Sequence, residues 1–200
     1  MKNGEYREYN AWLQPRAEIP MAGMRLVVDD VNTFAAGECR LGAERLYGPG
    51  IWRDDAAFTV SMSLDASIPP EGYRLFGSGD GLTIAGGDES GLLYGVYAFL
   101  MHLQAGDDPA DLREETAPAM PNRILNHWDN IDGSIERGYA GKSLFFRDGG
   151  VAYDAERMED YARLLASVGI NRLSINNVNI TEQSARLITE ELLPDVAGLA

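Results

Sequence analysis

Beyond residue 121 the apolar pattern switches to strand, helix, strand, helix, and that order limits the folds open to the chain. Arg123–His127 and Ile170–Val178 read as the two strands. Between them Met158, Tyr161, Leu165 and Val168 recur on one helical face, with Asp154 placed to cap the start. Gly169 stands where a left-handed residue would close that helix. A second helical pattern begins at Thr181 and turns Ala185, Ile188, Leu192 and Val196 inward; Pro194 must kink it or start a new short helix. Two consecutive β/α units are the opening of an α/β sheet or barrel.

Residues 1–105 read instead as a small α+β domain. Met24 to Asp29 forms a short strand, and a helix follows from about Val31 to Leu46 with Ala35, Cys39, Gly42 and Leu46 on one face. Phe58, Val60, Met62 and Leu64 alternate with Thr59, Ser61 and Ser63, the mark of a half-buried strand. Tyr73–Phe76 and Leu82–Ala85 are two further strands around the glycine-rich turn Gly77 to Gly81. A phosphate cradle would need a helix straight after that turn, and a strand comes instead, so the turn closes a hairpin. Asp88 can cap the next helix, whose buried stripe is Leu92, Val96, Phe99, Leu100 and Leu103. Residues 106–121 hold three prolines and few apolar groups, the composition of a linker, and residues 122–200 form the second domain.

A formal net charge of −14 argues against a nucleic-acid partner and against an anionic membrane surface. The single cysteine, Cys39, excludes an internal disulfide and a cysteine-based zinc site. The first residues lack the apolar core of a secretion signal, and no run approaches the roughly 20 apolar residues of a membrane span. A cytoplasmic protein is the resulting expectation. Asn179 to Thr181 matches a glycosylation sequon, which without a secretory route carries no meaning.

The chemistry concentrates in Asn122 to Phe146, where His, Trp, Asn, Asp, Arg and Lys crowd behind a short apolar start. So many polar groups beside an indole need hydrogen-bond partners. A sugar, with hydroxyls all round and an apolar C–H face, fits them. In a β/α fold the residues at the C-terminal ends of neighbouring strands share one rim. His127, Trp128, Asp129 and Asn130 come off the first strand; Asn176, Asn177, Val178 and Asn179 come off the second. Trp128 would stack on a pyranose face, against the alternative of a core tryptophan. Val178 would add an apolar wall, although a valine there is more often packing. Asp129, Asp132 and Glu136 are the nearby carboxylates that could serve a glycosidase; such residues more often cap turns or pair with bases such as Arg137 and Lys142. Two histidines, His102 and His127, do not make a histidine metal site, and a calcium loop fails because Trp128 and Tyr139 would fall on ligand positions. No metal or cofactor is expected.

The segment Asn122–Phe146 resembles, without gaps, the one that opens the catalytic barrel of family 67 glycoside hydrolases, the xylan-directed α-glucuronidases. Residues Tyr9 to Leu13, Gly87 to Tyr97 and Ile175 to Asn179 are similar to other parts of that family, so the resemblance spans essentially the whole chain. It implies an α+β domain followed by the first two β/α units of a truncated (β/α)8 TIM barrel. The activity it implies is release of (4-O-methyl-)D-glucuronic acid from xylooligosaccharides in xylan breakdown, with inversion. Trp128 and Val178 match family positions that sheathe the 4-O-methyl group; Asp129, Asn130 and Asn177 are expected as further substrate-binding residues from their place at the same strand tips. The family's acid and base carboxylates map to no position here and are expected beyond Ala200, so the chain would be inactive by itself. Family members are homodimers by that resemblance. Two other readings stay open: a non-catalytic carbohydrate-binding or interaction module built on Trp128, and a complete hydrolase using Asp129, Asp132 or Glu136.

Overall fold

The structure, a computed structural model, describes residues 13–14, 22–28, 33–177, 182 and 184–199. It divides into two compact units, residues 1–121 with 163–169, and residues 122–162 with 170–200.

In the first unit the order is β1 (Met24–Val28), α1 (Thr33–Tyr47), β2 (Phe58–Leu64), β3 (Tyr73–Ser78), β4 (Gly81–Gly86), α2 (Glu89–Ala105) and β5 (Arg113–Thr116). The strands form one mixed sheet in the order β1-β2-β4-β3-β5. β1–β2 and β2–β4 pair parallel, while β4–β3 and β3–β5 pair antiparallel. The alternation in β2 buries Val60 and Met62, but Leu64, at the strand's end, is exposed. The expected stripe of α2 is fully buried: Leu92, Val96, Phe99, Leu100 and Leu103 all belong to the core cluster, with Cys39, Ala43 and Leu46 of α1. Gly42 lets the two helices approach, since a Cβ there would lie 2.2 Å from Leu100 Cδ1.

The stretch 106–121 is not a plain linker. Pro109–Asp111 forms a 3-10 turn, and Arg113–Thr116 is the edge strand β5, paired to β3. An edge strand needs no apolar alternation, so Arg-Glu-Glu-Thr carries no strand signal in the sequence.

In the second unit β6 (Ile124–Asp129), β7 (Phe146–Arg147), β8 (Gly150–Val151), α3 (Ala155–Ser167), β9 (Arg172–Asn177) and α4 (Leu193–Ala197) follow in order. β6 and β9 pair parallel with Trp128 opposite Asn176 and Asp129 opposite Asn177. They make a parallel pair joined through α3, while β7 and β8 close a small hairpin. Asp154 Oδ1 accepts the Arg157 amide at 2.8 Å, as a helix cap should. Gly169 has φ 73, the left-handed ending its sequence position suggests. Val168 departs from expectation: it lies in the turn after α3 and is exposed. The last helical pattern is broken into a 3-10 turn (Ser184–Ile188) and α4, with Pro194 in the first turn of the new helix. Proline has no amide hydrogen and cannot continue the earlier turn. Thr181, Val178 and Asn179 lie outside the described residues.

Candidate functional site

Successive side chains of a strand point to opposite faces, and β6 uses this to separate two sets of residues. Ile124, Asn126 and Trp128 are exposed, Trp128 to 46%. Leu125, His127 and Asp129 project to the other, covered face. There His127 Nε2 lies 2.7 Å from Tyr161 Oη of α3, and the imidazole meets Phe145 edge-on with centroids 4.8 Å apart.

The loop after β6 is folded by its own polar groups. Asn130 donates from Nδ2 to Ser134 Oγ (2.9 Å) and to the Glu136 carbonyl (2.7 Å), and its amide reaches the Ser134 carbonyl at 2.8 Å. Asp132 Oδ1 accepts the Ser134 amide at 2.8 Å and its hydroxyl at 2.7 Å. These two bonds, the backbone one foremost, hold the Asp132 carboxyl below its ordinary range, helped by Lys142. The Glu136 amide donates to the Trp128 carbonyl at 2.7 Å. Gly133, with φ 90, and Glu136, with φ 54, take the left-handed turns the loop needs. Ser143 Oγ donates to Asp129 Oδ2 and accepts the amides of Phe145 and Phe146, each at 3.0 Å. Ile131, Phe145 and Phe146 are buried beneath this loop.

The residues that the sequence groups as sugar contacts therefore split. Trp128 is exposed at the strand tip. Asp129 and Asn130 are 1% and 8% exposed, and Asp129 Oδ2 and the Asn130 side-chain amide are bonded within the loop. Asp129 lies on the other side of the strand from the exposed indole. Asn177 is described in its backbone, opposite Asp129, and Val178 lies outside the described residues. Sequence reasoning missed Ser143 and Phe145, because a serine in a polar loop and a phenylalanine behind it carry no spacing signal. It counted Tyr161 only as a packing residue, yet the hydroxyl bonds His127. Among the described residues no group of three or more His, Cys, Asp or Glu could hold a metal ion. No described helix is long and apolar enough to cross a membrane.

Residues 11–120 match the model of the glycosyl hydrolase family 20, domain 2, and residues 102–200 match that of the glycosyl hydrolase family 67 middle domain. Both models describe parts of sugar-cleaving enzymes, so the sheet unit and the β/α unit together define a glycoside hydrolase sequence. A probable α-glucuronidase A of Aspergillus terreus is 44% identical over 181 residues, covering 90% of this chain and 20% of its own length. The α-glucuronidase A of Aspergillus tubingensis is 46% identical over 139 residues, covering 68% of this chain and 16% of its own. In fold, the chain is similar to a GH138 enzyme targeting pectin rhamnogalacturonan II, with a TM-score of 0.59 at 15% identity, over 88% of this chain and 28% of that one. The chain belongs to glycoside hydrolase family 67. It spans 16% to 20% of the length of the curated relatives named above.

Proposed function

We propose that this chain forms part of an inverting α-glucuronidase that releases (4-O-methyl-)D-glucuronic acid from short xylooligosaccharides, and that it contributes one wall of the uronic-acid pocket. The observation that carries this reading is the exposed indole of Trp128 at the tip of β6, in a sequence 46% identical to an α-glucuronidase A. An indole offers a flat apolar surface to the C–H face of a pyranose and leaves the sugar hydroxyls free. Val178, two positions beyond the Asn176 that pairs with Trp128, supplies the second apolar contact. In this reading β6 and β9 are the first two strands of a (β/α)8 barrel. The acid and base of a single displacement, which in inverting enzymes stand about 6.5–9.5 Å apart, come from strands outside this sequence. In this reading the carboxylates after β6 are not the acid and base, which the tie of Asp129 to Ser143 inside the loop supports for that residue.

Two experiments test the reading. The 200-residue chain, incubated with aldouronic oligosaccharides, should release no uronic acid; turnover at an ordinary enzymatic rate would overturn the assignment of the acid and base to other strands. A hybrid in which this chain replaces the matching segment of the A. tubingensis protein should release it. Trp128→Ala in that hybrid should lower kcat/KM about 10-fold or more, the loss expected for a stacking contact of ~1.5 kcal/mol. An undiminished Trp128→Ala hybrid would remove Trp128 from the pocket.

A further inference from the structure

His127 and Asp129 stand on either side of Trp128 and face away from the exposed surface, so neither touches a sugar bound to the indole. Asp129 is 1% exposed. Its Oδ2 accepts from Ser143, but its Oδ1 has no hydrogen-bond partner and lies 3.4 Å from His127 Nδ1. Leaving a buried carboxylate oxygen without a donor is costly, so the atom calls for a partner. The other ring nitrogen, Nε2, lies 2.7 Å from the Tyr161 hydroxyl. A neutral imidazole has one donor and one acceptor. If Tyr161 donates to Nε2, the ring proton sits on Nδ1, the nitrogen 3.4 Å from the orphaned oxygen. The opposite tautomer would set a bare Nδ1 against a carboxylate oxygen, two acceptors facing each other.

We propose that Tyr161, His127 and Asp129 form a line of hydrogen bonds, with the Nδ1 proton of His127 shared with Asp129 Oδ1, whose role is to position Trp128. The role assigned to Trp128 rests on the reading above; the place of the proton does not. The line fixes the residues before and after Trp128 to α3 at one end and, through Ser143, to the amides of Phe145 and Phe146 at the other. The Glu136 amide holds the Trp128 carbonyl between them. An indole that is half exposed lacks packing on its open side, so its orientation depends on such support. His127, Asp129, Ser143 and Tyr161 are thus positioning residues.

Long-range proton–nitrogen spectra of the whole chain, recorded above the ordinary histidine range, distinguish protonated from bare ring nitrogens. The chain has two histidines, so His102→Gln assigns both. The expected result is a protonated Nδ1 and a bare Nε2 on His127. In Asp129→Asn, Ser143 Oγ still accepts two amides and must donate its proton to the Asn oxygen, which turns the Asn NH2 toward Nδ1. The proton should then move to Nε2, and the Trp128 indole N–H signal, identified with Trp128→Phe, should shift or broaden. A bare Nδ1 in the unmodified chain overturns the assignment. An unmoved Trp128 signal in Asp129→Asn overturns the positioning role. Should that variant not fold, the unmodified chain still decides the proton, and Ser143→Ala carries the Trp128 readout. No sugar is added, so failure here and failure of the hybrid assay are separate results.

Discussion

His102 carries a carboxylate on each ring nitrogen: Asp107 Oδ2 at 2.7 Å from Nδ1 and Glu114 Oε2 at 2.9 Å from Nε2. Two acceptors require two donors, which only the protonated ring supplies. Burial by itself would lower the His102 pKa, but the hydrogen bonds and charges of Asp107 and Glu114 outweigh it and raise the value. Burial likewise opposes the charged form of Glu114, and the bonds from Tyr73 and His102 reverse this and lower its pKa. A pKa raised on folding stabilises fully below the unfolded value, about 6.5, and the gain is lost as pH rises through the folded one. The lowered Glu114 contributes above its unfolded value and is lost as pH falls through its folded one. His102→Gln should therefore lower the melting midpoint most near about pH 6, and the gap should narrow as pH rises past the folded His102 pKa. A gap independent of pH would sink the clamp. Cys39 gives a second check at this scale. Burial pushes its thiol up to about 12, with the Arg40 charge opposing. It should stay unreactive to thiol reagents in the native chain and react on unfolding.

At the scale of elements, the start of α2 joins the helix to the sheet. Asp88 Oδ1 accepts the Gly91 amide at 2.7 Å, and Oδ2 accepts the Glu71 amide at 3.0 Å from the turn before β3. Asp88→Ala removes both bonds and should cost about 1–2 kcal/mol, readable as a shift in urea midpoint at constant slope. Gly91 lies against backbone, since a Cβ there would stand 2.1 Å from the Gly72 carbonyl oxygen. Gly91→Ala must move the turn before β3, and should cost about 1–3 kcal/mol. The cap, the stripe of α2 and the β3–β4 hairpin are legible in the sequence because short-range chemistry decides them: Asp88 acts on the first turn, and Gly79, with φ 35, sits in the two-residue connection. β5 is not legible, because pairing with β3 forms it and its charged residues lie at an edge. The pattern from Thr181 leaves open whether Pro194 kinks one helix or starts another; the chain starts a new short helix there, with the proline in its first turn, where no amide hydrogen is needed. At the candidate site the exposed indole follows from the strand's alternation. The inward turn of Asp129 and Asn130 depends on Ser143 and Glu136, whose approach no local rule predicts.

Over the whole molecule, the chain returns to its first unit over residues 163–169, after leaving it at residue 121. Arg163 Nε donates to both carboxylate oxygens of Glu38, at 3.1 and 3.0 Å, and Tyr97 donates to Oε2 at 3.1 Å. Glu38 and Arg163 are 125 positions apart, and their side chains are 6% and 22% exposed. The first unit is therefore not complete when its sheet is complete: α1 buries a carboxylate whose cation arrives only with α3. Such a pair stabilises less than it costs to break, because removing one partner leaves the other charge in a poorly solvated place. Glu38→Gln and Arg163→Met should each destabilise the chain by about 3 kcal/mol. The double variant should lose less than the sum of the two by about 1–3 kcal/mol, measured by urea unfolding. Additive losses would show that the return of residues 163–169 is held by apolar packing such as that of Ala166 against the core, and that Glu38 is satisfied by Tyr97 alone.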